Sequence, residues 1–228
     1  MKKYEFTGEV KVWLGRTLHQ IRATVAFGDV DAGELGGWIE KEENLSHDDN
    51  AWVYGDAWVY GDAQVYGDAQ VYGDAWVCDN AWVCDNARVY GDARVCGNAR
   101  VCGDAQVYGD AQVYGNAWVC DNAWVCDNAQ VYGGARVYGD ARVVKAYHYL
   151  TIGPIGSRNG FTTFFRTKSL EIFVSCGCFQ GNIGAFAEKV KETHGDSAHG
   201  KHYRLAIEMA KAKIDLSPDR ETEREEST

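Results

Sequence analysis

The residues of this 228-residue chain whose types could do nucleophilic or metal chemistry are eight cysteines and six histidines. Cys176 and Cys178 flank a single glycine, and His194 and His199 follow at short range. Thiolate and imidazole are zinc ligands, yet a structural zinc needs a tetrahedral set of them. Cys176, Cys178 and His194 are therefore the candidates for a metal, set against a reading in which the chain holds no metal and no cofactor. The remaining thiols, Cys78, Cys84, Cys96, Cys102, Cys120 and Cys126, lie between residues 51 and 143, where there is no histidine. A general base must stand within hydrogen-bond reach of its substrate, so no catalysis is expected there. A further candidate is the turn Gly153-Pro-Ile-Gly-Ser-Arg-Asn159, followed by Thr162 and Thr163. Its backbone N–H groups, Ser157, Arg158 and Asn159, with the two threonines, could hold a phosphate or nucleotide. No Gly-Lys-Ser/Thr follows, so it is not a P-loop. The competing reading is an ordinary hairpin with a solvated arginine.

The element that must position most of these thiols is a repeat. Sixteen units of the form A-x-V-[Y/C]-[G/D]-[D/N] run from Ala51 to Val143 without a break. A fixed period dictates architecture before any other signal. The x-V-Y segment alternates out, in, out, as a short strand does. The glycine that follows supplies a positive φ. Four units place Asp there (Asp79, Asp85, Asp121, Asp127), a residue that tolerates the same region. Ala and Val then face a shared interior that only stacked neighbours can complete.

Charge is unevenly spread. The net charge is −10, with 5 Arg and 12 Asp in residues 51–143, while residues 144–214 carry 10 basic and 5 acidic side chains. The tail from Asp215 to Thr228 is acidic and reads as disordered. No run of about 18 apolar residues occurs, which excludes a membrane-spanning helix. No apolar stretch follows Met1-Lys2-Lys3, so a cytoplasmic protein with reduced thiols is expected.

The hexads resemble the hexapeptide-repeat, left-handed β-helix family. The resemblance implies a left-handed parallel β-helix with three hexads per coil. It gives about five coils and a rod of roughly 25 Å at ~4.8 Å per rung. It also implies self-association, commonly as a trimer, and suggests acyl transfer. The chain departs from the acyltransferases of that family, since no histidine and no interrupting loop falls in the hexads.

With three hexads per coil, Tyr54, Tyr72, Tyr90 and Tyr108 stack on one face, followed by Cys126. A second face carries Tyr60, Cys78, Cys96, Tyr114 and Tyr132, with Trp58 above Trp76. The third carries Tyr66, Cys84, Cys102, Cys120 and Tyr138. Arg88, Arg94 and Arg100 fall on successive hexads and form a belt around one coil. A line of thiols at rung spacing does not suit zinc. Tyr, Trp and Arg dominate interface energetics, so these tyrosines, tryptophans and arginines are the expected contacts to a protein partner. The competing reading is ladder packing that stiffens the rod. Twelve Asp over ~25 Å only partly imitate DNA, which carries a charge every ~1.7 Å. Direct nucleic-acid binding by so acidic a rod is not expected.

Residues 1–50 read as a β cap, with strands at 3–7, 11–14 and 17–27; Ile39 and Leu45, six apart, start a degenerate first rung. Bare rod ends would pair with other chains. Residues 144–214 read as a small α+β domain, with strands near 146–152, 161–167 and 171–175 and helices near 183–193 and 202–214. The segments Leu35-Gly-Gly-Trp-Ile-Glu-Lys-Glu-Glu-Asn-Leu-Ser46, Ile152–Gly160, Thr162–Phe165 and Val174–Phe179 resemble small proteins of unassigned role from phages and prophages of gut bacteria. The expectation is a non-enzymatic scaffold that engages a macromolecular partner. On the phage resemblance, the partner is a host protein and the role inhibition of a host defence. A nucleotide-binding C-terminal domain and an acyltransferase are the alternatives.

Overall fold

The computed structural model describes residues 2–218. The remainder of the expected tail, residues 219–228, lies outside the described residues.

Each hexad forms a two-residue strand, from β4 (Trp52–Val53) to β19 (Arg142–Val143). Strands pair in parallel with every third unit, so Trp58 lies beside Trp76, Trp76 beside Arg94 and Arg94 beside Gln112. The result is a parallel β-solenoid with three walls. Every Ala and Val of the hexads is buried inside it, each Val contributing about 1.5–3 kcal/mol of apolar burial. The backbone ladder is regular, as in Trp76 N–H to Ala93 C=O and Cys78 N–H to Val95 C=O, both 2.9 Å. Asp79, Asp85, Asp121 and Asp127 take φ values from 52° to 61° at the corners where other units use glycine.

The rod begins earlier than the hexads. Strand β3 (Leu35–Ile39) pairs in parallel with Trp58–Val59, and Leu45 bridges Val65. These add a coil to the expected five, giving about six. Strands β1 (Tyr4–Trp13) and β2 (Arg16–Ala23) form a hairpin that extends the same sheet. The two strands expected at 3–7 and 11–14 are one, because an irregularity between Phe6 and Val10 absorbs the break. Tyr4, Ile21, Phe27 and Val30 close the N-terminal end over Trp52, which is fully buried. Lys3 is buried at this cap and donates to the carbonyls of Asp48, Asp49 and Ala51 at 3.3, 3.3 and 2.8 Å.

The C-terminal end is closed by an antiparallel sheet of β20 (Tyr149–Ile155), β21 (Gly160–Arg166), β22 (Ile172–Cys176) and β23 (Phe179–Asn182). Two helices follow, α1 (Ile183–His194) and α2 (Ala198–Lys213). Asn182 and Ser197 cap them through their side chains. The sheet separates two cores by its period of two. Tyr149 and Phe165 join the rod interior, with Phe173 packed on it, while Phe164 and Val174 face Phe186, Val190, Tyr203 and Ile207 of the helices. No described helix is long and apolar enough to cross a membrane.

Candidate functional site

The thiols are not all reduced. Cys78 is bonded to Cys96, and Cys102 to Cys120, each pair one coil apart with Cα atoms 4.7 and 4.6 Å from each other. This corrects the reduced-thiol expectation. Stacking cysteines at rung spacing brings them into the separation a disulfide needs. The same pairing bears on metals. Two groups bring ligand atoms within 4.8 Å, Cys78-Asp79-Cys96 and Cys84-Asp85-Cys102, and each includes sulfur already used in a bridge. Cys176, Cys178 and His194 form no such group among the described residues. Cys176 instead accepts from Thr162 Oγ1 at 3.1 Å and donates to Tyr203 Oη at 3.7 Å.

The aromatic rows stand where the three-hexad register puts them. Tyr72, Tyr90 and Tyr108 stack with centroids 4.7 and 4.9 Å apart and planes within 4°. Tyr54 meets Tyr72 edge-on instead, at 6.4 Å. Burial pushes the hydroxyls of Tyr72, Tyr90 and Tyr108 above the ordinary phenol pKa. Trp58 and Trp76 stack at 5.2 Å with parallel planes. Arg88, Arg94 and Arg100 stand on three different walls. Arg94 covers Trp76 at 4.9 Å, and Arg100 is held between Trp82 and Trp118 at 4.4 and 4.9 Å. Each arginine on tryptophan gains a cation–π attraction.

The three corners of the solenoid differ. One corner stacks Asn80, Asn98 and Asn116, whose amides hydrogen-bond at 3.2 and 3.0 Å. A second alternates Asn and Asp, with Asn50 to Asp68, Asn86 to Asp104 and Asn122 to Asp140 at 2.7, 2.9 and 3.4 Å. The third places Asp56, Asp74, Asp92 and Asp110 on successive coils, all exposed. Neighbouring carboxylates at ~4.8 Å repel by about 0.9 kcal/mol per pair in water before salt screening.

That acidic corner runs between the tyrosine row and the Trp58–Trp76 stack. It borders a groove of about 390 Å³ lined by Lys11, Asp56, Trp58, Asp74, Trp76, Asp92 and Arg94. The β1–β2 hairpin lies along it. Lys11 Nζ sits 2.9 Å from Asp56 Oδ1 and over the Trp38 ring at 4.1 Å. Trp13 meets Trp58 and Trp76 edge-on, each at 5.7 Å. Lys11 holds the Asp56 carboxyl below the usual range by hydrogen bond and charge. The sequence reading missed this corner, although the signal was there: sampled every third hexad, the sixth position reads Asp four times in one register and Asn three times in another.

In the C-terminal domain, Ser157 and Arg158 border a cleft together with Cys176, Cys178 and His194. Asn159, Thr162 and Thr163 do not line it. Thr163 is buried and its Oγ1 accepts the Arg136 N–H at 3.0 Å, joining sheet to rod. Three of the six histidines stack on aromatic rings, and a fourth, His148, is buried and accepts the Val144 N–H at 3.2 Å. His47 stacks on Tyr4 at 4.3 Å, His19 on Phe6 at 4.7 Å, and His194 on Tyr203 at 5.5 Å.

The sequence pattern of the YdcK beta solenoid repeat matches residues 63–79, 81–95, 93–109, 105–121, 111–127 and 129–145. Those segments fall on the rod and its last turn, and the three-walled architecture agrees with the match. The chain is a repeat β-solenoid protein. Its similarity to the YdcK beta solenoid repeat lies within residues 63–145, and not in the first two hexads or the ends. No curated protein matches the chain.

Proposed function

We propose that the chain is a non-enzymatic scaffold that binds a protein partner along the acidic corner and the aromatic rows beside it. The partner presents a basic, extended surface. The observation that carries this reading is Lys11, whose ammonium is held by Asp56 and by the face of Trp38. The chain's own lysine occupies the first coil of a seat that Asp74 with Trp76, and then Asp92 and Asp110, continue. The other two corners relieve their polar groups by amide ladders, and this one does not. Local rules are commonly broken where function requires it.

The non-enzymatic reading is supported by a repeat without an interrupting loop and without a histidine between residues 51 and 143. Self-association, with a trimer as its form, is what the hexapeptide-repeat resemblance implies. The segments around residues 35–46 and 152–179 carry the phage resemblance, and on it the partner is a host protein whose defence role the scaffold inhibits. A partner that ordinarily holds a phosphate backbone would present the basic surface this corner fits. Affinity capture from the host, with the wild type beside Asp74→Asn/Asp92→Asn/Asp110→Asn, tests the reading. One partner enriched by the wild type and lost with the variant supports it. Equal recovery by both removes the corner from the interface.

A further inference from the structure

The cleft in the C-terminal domain belongs to no part of the rod. It has a volume of about 430 Å³, within the range of small-molecule sites. It opens between the β20–β21 turn, the β22–β23 turn and α1. Phe161, Phe179 and Phe186 supply the apolar wall, and Phe161 is 47% exposed at its mouth. Arg158, Lys189 and His194 supply the polar edge, and no carboxylate lines the cleft. Lys189 already faces Glu192 at 3.2 Å. Arg158 has no hydrogen-bond or ion-pair partner among the described residues.

The floor is held in place. Tyr203 packs edge-on against Phe186 at 5.6 Å and stacks with His194. Its hydroxyl abuts Gly156, where a Cβ would collide with it, so the turn carrying Arg158 is drawn against α2. Gly156 has a φ of 76°, which also favours glycine there. The cleft thus combines a fixed aromatic wall with an unpaired guanidinium at one edge. Such a pairing selects for an apolar body and an anionic head, because guanidinium forks a carboxylate or phosphate oxygen pair. A nucleotide suits it less, since a polar sugar and several charges would face three phenyl rings.

We propose that this cleft binds a small amphipathic organic anion, its apolar body against Phe161, Phe179 and Phe186 and its head on Arg158. The proposal is independent of the rod and its partner.

Calorimetric titration of the full chain with octanoate, octan-1-ol, decanoate and AMP tests it. Octanoate should bind at least tenfold tighter than octan-1-ol. Decanoate should bind about tenfold tighter than octanoate, from two more buried methylenes. Arg158→Gln, at an exposed turn position, should remove the preference for octanoate over octan-1-ol and leave octan-1-ol unchanged. Phe161→Ser, also exposed, should weaken all three aliphatic probes. The proposal is overturned if octan-1-ol binds as tightly as octanoate, if Arg158→Gln keeps the preference, or if AMP binds tighter than decanoate.

Discussion

The carboxylate of Asp79 accepts the backbone N–H of Gly97, one coil further on, at 3.1 Å. Asp85 and Asp121 do the same for Gly103 and Gly139 at 3.0 and 3.1 Å. Asp at these corners thus does what glycine cannot, since its side chain ties one coil to the next. Asp79→Gly keeps the positive φ and loses the bond, at a cost of about 0.5–1.5 kcal/mol at this exposed position. Asp79→Ala loses the bond and adds left-handed strain of about 1–2 kcal/mol. Urea unfolding should rank wild type above Asp79→Gly above Asp79→Ala; an alanine variant as stable as the glycine variant would remove the strain argument.

The disulfides make a second prediction. Non-reducing peptide mapping should find Cys78 linked to Cys96 and Cys102 to Cys120, and native alkylation should label Cys178 first because it alone of the four cysteines outside the bridges is exposed. Each bridge closes 18 residues, which in the chain-entropy account is worth about 3 kcal/mol. Cys96→Ser should lower the unfolding midpoint under oxidising conditions and leave it nearly unchanged in excess reductant.

Much of this was legible in the residues. The period of six placed Ala and Val inside, and the stride of three hexads placed Trp58 on Trp76 and Tyr72 on Tyr90. The same stride placed Cys102 against Cys120, yet it said nothing of whether the thiols join, which depends on redox chemistry as well as distance. Strand β23 was missed because Phe179–Asn182 is short and ends in a helix cap. Thr163 read as a ligand-binding candidate because a turn precedes it; only the packing of sheet on rod shows that its hydroxyl serves Arg136. The acidic corner was hidden by the ordinary role of Asp in turns.

Lys3 carries a pH dependence. Burial lowers its pKa to about 8, against the pull of Asp49, Asp48 and Asp68. The unfolded chain, with an ordinary lysine near 10.5, then binds more protons than the folded one between these values. Stability contributed by this group therefore rises as pH goes from about 8 towards 10.5. Below pH 8 the buried charge costs stability at a constant level. The unfolding free energy of the wild type, from urea titrations, should gain on that of Lys3→Met between pH 7.5 and 9.5 by roughly 1–2 kcal/mol. A constant difference across that window would contradict the assignment.

The account turns on whether the Asp74, Asp92 and Asp110 corner receives cationic side chains. The direct measurement is fluorescence anisotropy of a labelled decalysine peptide with three proteins: wild type, Asp74→Asn/Asp92→Asn/Asp110→Asn, and Asp68→Asn/Asp104→Asn/Asp140→Asn. Both variants remove the same charge. The first should also be at least as stable as wild type, because it relieves stacked repulsion and allows an amide ladder like that of Asn80, Asn98 and Asn116. The predicted result is binding at least tenfold weaker for the first variant and near wild type for the second. Equal weakening in both would show net charge alone at work and would contradict the account.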